Sequence, residues 1–191
     1  MKLVFATHND NKVAELQHLL GDDFELLSLK ELSYNDDIRE TSDTLEGNSR
    51  IKADAVYNYF KLPCFADDTG LEVEALGGEP GVFSARYGGE ERNADKNMDF
   101  LLKRLQGNTN RSARFRTVIT YRSNNEIHQF EGVVKGEIID EKTGGLGFGY
   151  DPIFKPSGSD KTFAQMSTDE KNKFSHRARA FEKLRIFLKG H

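Results

Sequence analysis

Asp67 and Asp68 stand side by side in the run Cys64-Phe65-Ala66-Asp67-Asp68-Thr69-Gly70, and Glu40 lies upstream in a polar, acidic stretch. Two adjacent carboxylates at the end of an apolar run repel one another and are costly unless a cation or hydrogen-bond donors compensate them. A hard metal such as Mg2+ is a natural partner, because it takes one or two carboxylates and completes its shell with water and phosphate oxygens. Glu40 plus one aspartate would meet that demand, and a carboxylate beside the metal could accept a proton from an attacking water. The same Asp-Asp-Thr-Gly string equally suits an Asx turn opening a hairpin.

Three further groups of residues have chemistry of their own. Thr7-His8-Asn9-Asp10-Asn11-Lys12 falls between an apolar run and a helical pattern. There the free amides of a helix start, a hydroxyl, an amide and an ammonium would cradle a triphosphate. With no glycines it is not a Walker A loop, and Asn9 or Asp10 could simply cap the helix while Lys12 is solvated. The segment Gly144 to Gly149 leads into Tyr150-Asp151, so Phe148, Gly149, Tyr150 and Asp151 could admit a flat base, stack on it and accept from its ring N–H groups. Glycine loops are also ordinary turns. Lys171 with His176 and Arg177 could hold phosphate or a base carbonyl, or could be solvated helix charges with His176 as a cap.

The elements that must position these groups follow from periodicity. Residues 2–6 and 24–29 read as strands on either side of a helix through Val13, Leu16, Leu19 and Leu20 closed by Gly21. Residues 35–47 read as loop, followed by a helix through Ile51, Ala55, Val56, Tyr59 and Phe60 with Asp43 or Thr44 as cap and Pro63 beyond its end. Residues 64–66 read as a buried strand ending directly on Asp67, with a separate alternating segment from Leu71 to Leu76. Another amphipathic helix runs from Asn93 to Leu105. Two strands, 113–122 and 126–137, join at a hairpin signal around Ser123-Asn124-Asn125. The final helix has two candidate starts, a Ser167/Glu170 capping box or a Ser175 cap. Helical crossovers together with a hairpin imply an α/β or α+β fold on a mixed sheet, where loops at strand ends can converge on one crevice.

With 191 residues, 37% of them hydrophobic and 30% charged, the chain can bury a core as one unit. A net charge of −4 disfavours nucleic-acid polymers and anionic membranes while leaving a phosphorylated small molecule open. The one cysteine, Cys64, excludes an internal disulfide and reads as a buried filler. No signal peptide or membrane span is recognisable, so a cytosolic location is expected.

The chain closely resembles the non-canonical purine nucleoside triphosphate pyrophosphatases, the inosine/xanthosine triphosphate pyrophosphatase family. The likeness rests on ATHNDNK at 6–12, RET at 39–41, FADDTGLEVEALGG at 65–78, PGVFSARYGG at 80–89, GFGYDPIF at 147–154 and EKNKFSHRARA at 170–180. It implies hydrolysis of dITP, ITP and XTP to monophosphate and pyrophosphate with Mg2+, by a single domain spanning 1–191. It also implies a long central mixed β-sheet with flanking helices, in two lobes around an active-site cleft, and a homodimer. Carried over residue by residue, Thr7, His8, Asn9, Asp10, Asn11 and Lys12 bind triphosphate, Glu40 and Asp68 hold Mg2+, and Asp68 accepts the proton of the attacking water. Thr69 touches the substrate, and Arg86 assists. Phe148, Gly149, Tyr150 and Asp151 form the base pocket, completed by Lys171, His176 and Arg177. His8 stands where the family often has Gly, and Gly47 where a second Glu commonly precedes the Asn.

Overall fold

The computed structural model describes residues 2–17, 19 and 24–190. Its elements in chain order are β1 (Lys2–Phe5), α1 (Asp10–Gln17), β2 (Glu25–Ser28), α2 (Leu45–Phe60), β3 (Cys64–Val73), β4 (Pro80–Gly81), α3 (Ala94–Arg104), β5 (Ser112–Arg122), β6 (Ile127–Ile138), β7 (Phe154–Pro156), α4 (Thr168–Phe174) and α5 (His176–Lys189). The strands form one mixed sheet in the order β2-β1-β3-β5-β6-β7, with β4 paired to β3. This is the α/β architecture the sequence implies.

Two compact units divide the chain, one of residues 1–68, 117–132 and 177–191, the other of residues 69–116 and 133–176. In the first, β1 pairs in parallel with β2 and with β3, the geometry that helical crossovers produce. Both faces of β1 are covered, as parallel strands require. Leu3 and Phe5 pack with Phe65, Phe181 and Leu184, whereas Val4 and Ala6 pack with Ala53, Val56, Cys64 and Ala66. Side chains alternate along β3 too, so Phe65 faces α5 while Cys64 and Ala66 face α2. Cys64 is a filler as expected: it is buried, its thiol is pushed up to about 12 by burial, and its Sγ donates to the Ala53 carbonyl.

In the second unit β3 pairs antiparallel with β4, and β6 antiparallel with the short β7, which the apolar pattern alone did not reveal. The core there gathers Leu71, Leu101, Phe115, Ile138, Phe154 and Phe163. Asn93 caps α3 by accepting from the Lys96 N–H. Both proposed starts at the C-terminus are used: Ser167 and Glu170 form the reciprocal cap of α4, and Ser175 ends that helix before α5 begins at His176.

Three expectations need correction. The strand at 64–66 does not stop on the acids: β3 runs through Asp67-Asp68-Thr69-Gly70 to Val73, so the pair sits in mid-strand and no hairpin turn opens there. Charge was read as a strand terminator, but both carboxylates have cationic partners in the fold, which outweigh the cost of burial for Asp67 and offset part of it for Asp68. Residues 74–76, read as continuing strand, form a 3-10 turn. The loop assigned to 35–47 ends earlier, because Thr44 starts α2 at Leu45. The Leu20-Gly21 end assigned to the first helix lies outside the described residues.

Candidate active site

Mid-strand placement splits the acidic pair. Successive side chains of a strand point to opposite faces, so Asp67 shares the α5-facing side with Phe65, and Asp68 shares the α2-facing side with Ala66. On its side Asp67 meets two cations: Lys12 Nζ donates to Oδ1 at 2.8 Å and Arg177 Nε to Oδ2 at 3.2 Å. Glu15, on the buried side of α1, takes the other end of the Arg177 guanidinium. Burial would raise the Asp67 carboxyl, yet Lys12, Arg177 and Lys52 hold it well below the usual carboxylate range. Asp67 is therefore an ionised counter-charge that fixes Lys12 and Arg177.

Asp68 is in the opposite condition. Lys52, from the buried face of α2, donates to Asp68 Oδ1 at 3.1 Å and lies 3.3 Å from Glu40 Oε2, bridging the two carboxylates. Burial pushes Asp68 up to about 6 with help from the facing Glu40 carboxylate, against the pull of Lys52. Glu40 titrates low: burial would raise it, but Lys52 and a hydrogen bond with Asp68 outweigh that. Burial opposes the Lys52 charge as well, and Asp68 and Glu40 restore it, raising the ammonium above its ordinary value. Asp68 Oδ2 is buried and receives no hydrogen bond among the described residues.

That donor set fits a hard divalent cation. Two carboxylates converge, one of them with a buried oxygen lacking a donor, and such an oxygen is stabilised by a proton or a metal. Among the described residues no three His, Cys, Asp or Glu side chains gather into an all-protein cage. Two carboxylates with water and phosphate is the usual Mg2+ arrangement.

The Thr7–Lys12 segment is partly a helix cap. Asn9 Oδ1 accepts from the Asn11 and Lys12 N–H groups at 3.0 and 3.3 Å, and Thr7 Oγ1 from the Asn9 N–H at 3.1 Å. Lys12 is not solvated, being held against Asp67. His8 Nε2 reaches the Asp36 carbonyl at 3.2 Å with its ring parallel to Tyr34. Asp10 lies 3.5 Å from Lys30 in an exposed ion pair.

In the second unit, Lys171 and Asp151 form a buried pair, with Lys171 Nζ donating to Asp151 Oδ2 at 2.6 Å. The Phe148 N–H donates to the same oxygen at 2.9 Å, and Lys171 Nζ lies 4.8 Å from the Phe148 ring centroid. Gly147 permits this closeness: its φ is +76°, and a Cβ there would come within 2.1 Å of Asp151 Oδ2. Tyr150 is buried, and its hydroxyl donates to the Ser84 carbonyl at 2.6 Å, so its ring is committed to the core. His176 is buried and stacks on Phe115 at 4.6 Å. Lys171, His176 and Arg177 are thus not solvated helix charges. Lys52, Glu15 and the structural use of Asp67 were missed by sequence reasoning. The available signal was that Lys52 falls on the same helical stripe as Val56, four residues on, a position that a solvated lysine would avoid.

The fold and this site define an α/β protein that brings helix-borne lysines onto two buried carboxylates of one strand of a mixed sheet. The chain belongs to the Ham1 family, whose model matches residues 3–187. It is 54% identical over 184 residues to a Flavobacterium johnsoniae protein named dITP/XTP pyrophosphatase, covering 96% of each chain. It is 42% identical to the Bacillus subtilis protein of the same name, over 98% of this chain and 96% of that one. The solved Ham1 protein of Staphylococcus aureus superposes with a TM-score of 0.90 at 40% identity, covering 100% of this chain and 99% of that one.

Proposed function

We propose that this chain hydrolyses the non-canonical purine nucleoside triphosphates dITP, ITP and XTP to the monophosphate and pyrophosphate, clearing deaminated purines from the nucleotide pool. The observation that carries the proposal is the Glu40–Lys52–Asp68 cluster with its donor-less Asp68 oxygen, in a chain whose relatives are named dITP/XTP pyrophosphatases. Glu40 and Asp68 would hold Mg2+, which when bound would offset phosphate charge and make a water more acidic. Asp68, once ionised, takes the proton of the water attacking the α-phosphate, and Lys52 offsets the negative charge that gathers there. Lys12 and Arg177, fixed by Asp67 and Glu15, supply charge toward phosphate and substrate. Thr7 to Asn11 complete the triphosphate contacts, with Asn9 reduced to its amide nitrogen and Asp10 at the margin.

Base recognition falls to the second unit. Phe148 and Gly149 present a flat surface, Tyr150 supports it from the core, and Thr69 and His176 add polar contacts. Lys171 offers an N–H to the 6-oxo group of hypoxanthine or xanthine, and Asp151 accepts from the ring N–H. The 6-amino group of adenine would present the lysine with a donor in place of an acceptor. Residues 1–191 act as one catalytic domain, working in the cytoplasm as a homodimer. No described helix is long and apolar enough to cross a membrane. A panel of dITP, XTP, dUTP and dTTP assayed for Mg2+-dependent pyrophosphate tests the assignment. Turnover of dITP and XTP is expected, and preference for the pyrimidines would overturn it.

A further inference from the structure

Glu40 lies in a loop, and the residues that hold this loop in place centre on Gly47, the third residue of α2. A common way to finish a helix start is reciprocal: the cap side chain accepts from the third residue's N–H, and a Glu or Gln there reaches back to the cap's own N–H. Here Thr44 Oγ1 accepts from the Gly47 N–H at 3.1 Å, the first half of that pattern. A glycine cannot supply the second half. Ser42 does so: its Oγ accepts from the Thr44 N–H at 3.2 Å and lies 3.1 Å from Thr44 Oγ1.

Ser42 also fills the space a side chain at position 47 would need. A Cβ on Gly47 would lie 2.0 Å from Ser42 Oγ and 2.5 Å from Ser42 Cβ, far inside contact distance. Rotating the hydroxyl away would leave the Cβ clash, so relief requires moving the Ser42 backbone. That backbone is pinned, because its N–H donates to the buried Asn48 Oδ1 at 2.9 Å. Glu40 is two residues away along the same strand of loop, and its carboxylate must meet Lys52 at 3.3 Å from the next turns of α2.

We infer that Ser42 and Gly47 are a matched pair of positioning residues: the missing side chain at 47 admits Ser42 as the helix's second cap, and this fixes Glu40 over Lys52 and Asp68. The inference rests on the metal-site reading above, and it explains why the carboxylate of a reciprocal cap is dispensable in this chain. Glu40 remains the ligand, and Gly47 sets where it stands.

The full chain carrying Gly47→Ala, Ser42→Gly with Gly47→Glu, or Glu40→Gln is compared with wild type by thermal unfolding without metal and during Mg2+ titration. Helix propensity alone predicts that Gly47→Ala raises Tm. The matched pair predicts the opposite, a fall of about 2–4 °C in the metal-free protein, and a roughly tenfold higher Mg2+ concentration for half-maximal stabilisation. The double variant rebuilds the reciprocal cap and should recover both to within about twofold of wild type in Mg2+. An unchanged or higher Tm for Gly47→Ala, or a double variant no better than the single, overturns the pairing. A lowered Tm with an unaltered Mg2+ requirement overturns the link to Glu40. If Mg2+ stabilises neither wild type nor any variant, the metal reading and that link fail together, while the Tm contrast still judges the cap.

Discussion

Lys52 Nζ lies 3.1 Å from Asp68 Oδ1, both groups buried, so one helix of the first unit delivers its charge directly onto a β3 carboxylate. A cation in that place keeps Asp68 from rising further and carries positive charge to the reaction centre. Replacing Lys52 with Met should keep the side-chain volume near native, raise the Asp68 pKa, and lower kcat for dITP by about 10²-fold or more. The check is steady-state pyrophosphate release with a Tm measured alongside. Activity within about threefold of wild type would remove Lys52 from the reaction.

Asp68 titrates at about 6 without metal, pushed up by burial and by Glu40. Its folded pKa is raised, so the protonated form dominates below about 6 and the carboxylate above it. A divalent cation needs the carboxylate and competes with that proton. Mg2+ affinity should therefore fall as pH drops from 7 to 5 and level off above about 7. Isothermal titration of Mg2+ across that range tests the sign, and a flat profile would contradict Asp68 as a ligand.

The same shift affects stability. Folding favours protonated Asp68, so this group contributes least above pH 6, where its buried charge is opposed by Glu40. The raise from 3.8 to about 6 corresponds to roughly 3 kcal/mol at neutral pH. Asp68→Asn removes that cost, and its metal-free Tm relative to wild type should be higher at pH 8 than at pH 5. Equal differences at both pH values would show that Asp68 carries no such penalty.

Lys171 pairs with Asp151 at 2.6 Å in the second unit, and the pair is proposed to sense the 6-position of the purine. Lys171→Met should cut kcat/KM for dITP by about 10- to 200-fold while changing the small rate with dATP much less, because of the two substrates only dITP has a 6-oxo group to accept from the lost donor. The ratio of the two kcat/KM values is the measurement. Parallel losses on both substrates would assign Lys171 to folding alone.

Much of this was legible in residue patterns because local rules and tertiary context agree. Thr44 and Ser167 cap helices where their sequence contexts place them, the helix read from Asn93 to Leu105 is present as α3, and the strands at 2–5, 25–28 and 112–122 follow their apolar runs. The reading failed at β3, where two adjacent aspartates look like a turn. Their partners are distant in sequence: Arg177 is 110 residues from Asp67, and Lys12 is 55. No local pattern encodes such compensation. Lys52 and Glu15 were hidden for the same reason, since a charged residue on the buried stripe of a helix looks like an irregularity until its partner is placed. β7 is three residues long, too short for periodicity to register.

The central claim is that Asp68 is the carboxylate on which Mg2+-dependent cleavage depends. Pyrophosphate released from dITP by the Asp68→Asn protein, at saturating Mg2+ and with its fold verified by a single cooperative unfolding transition, tests it most directly. A loss of about 10³-fold or more is predicted. Turnover near that of wild type would contradict the assignment.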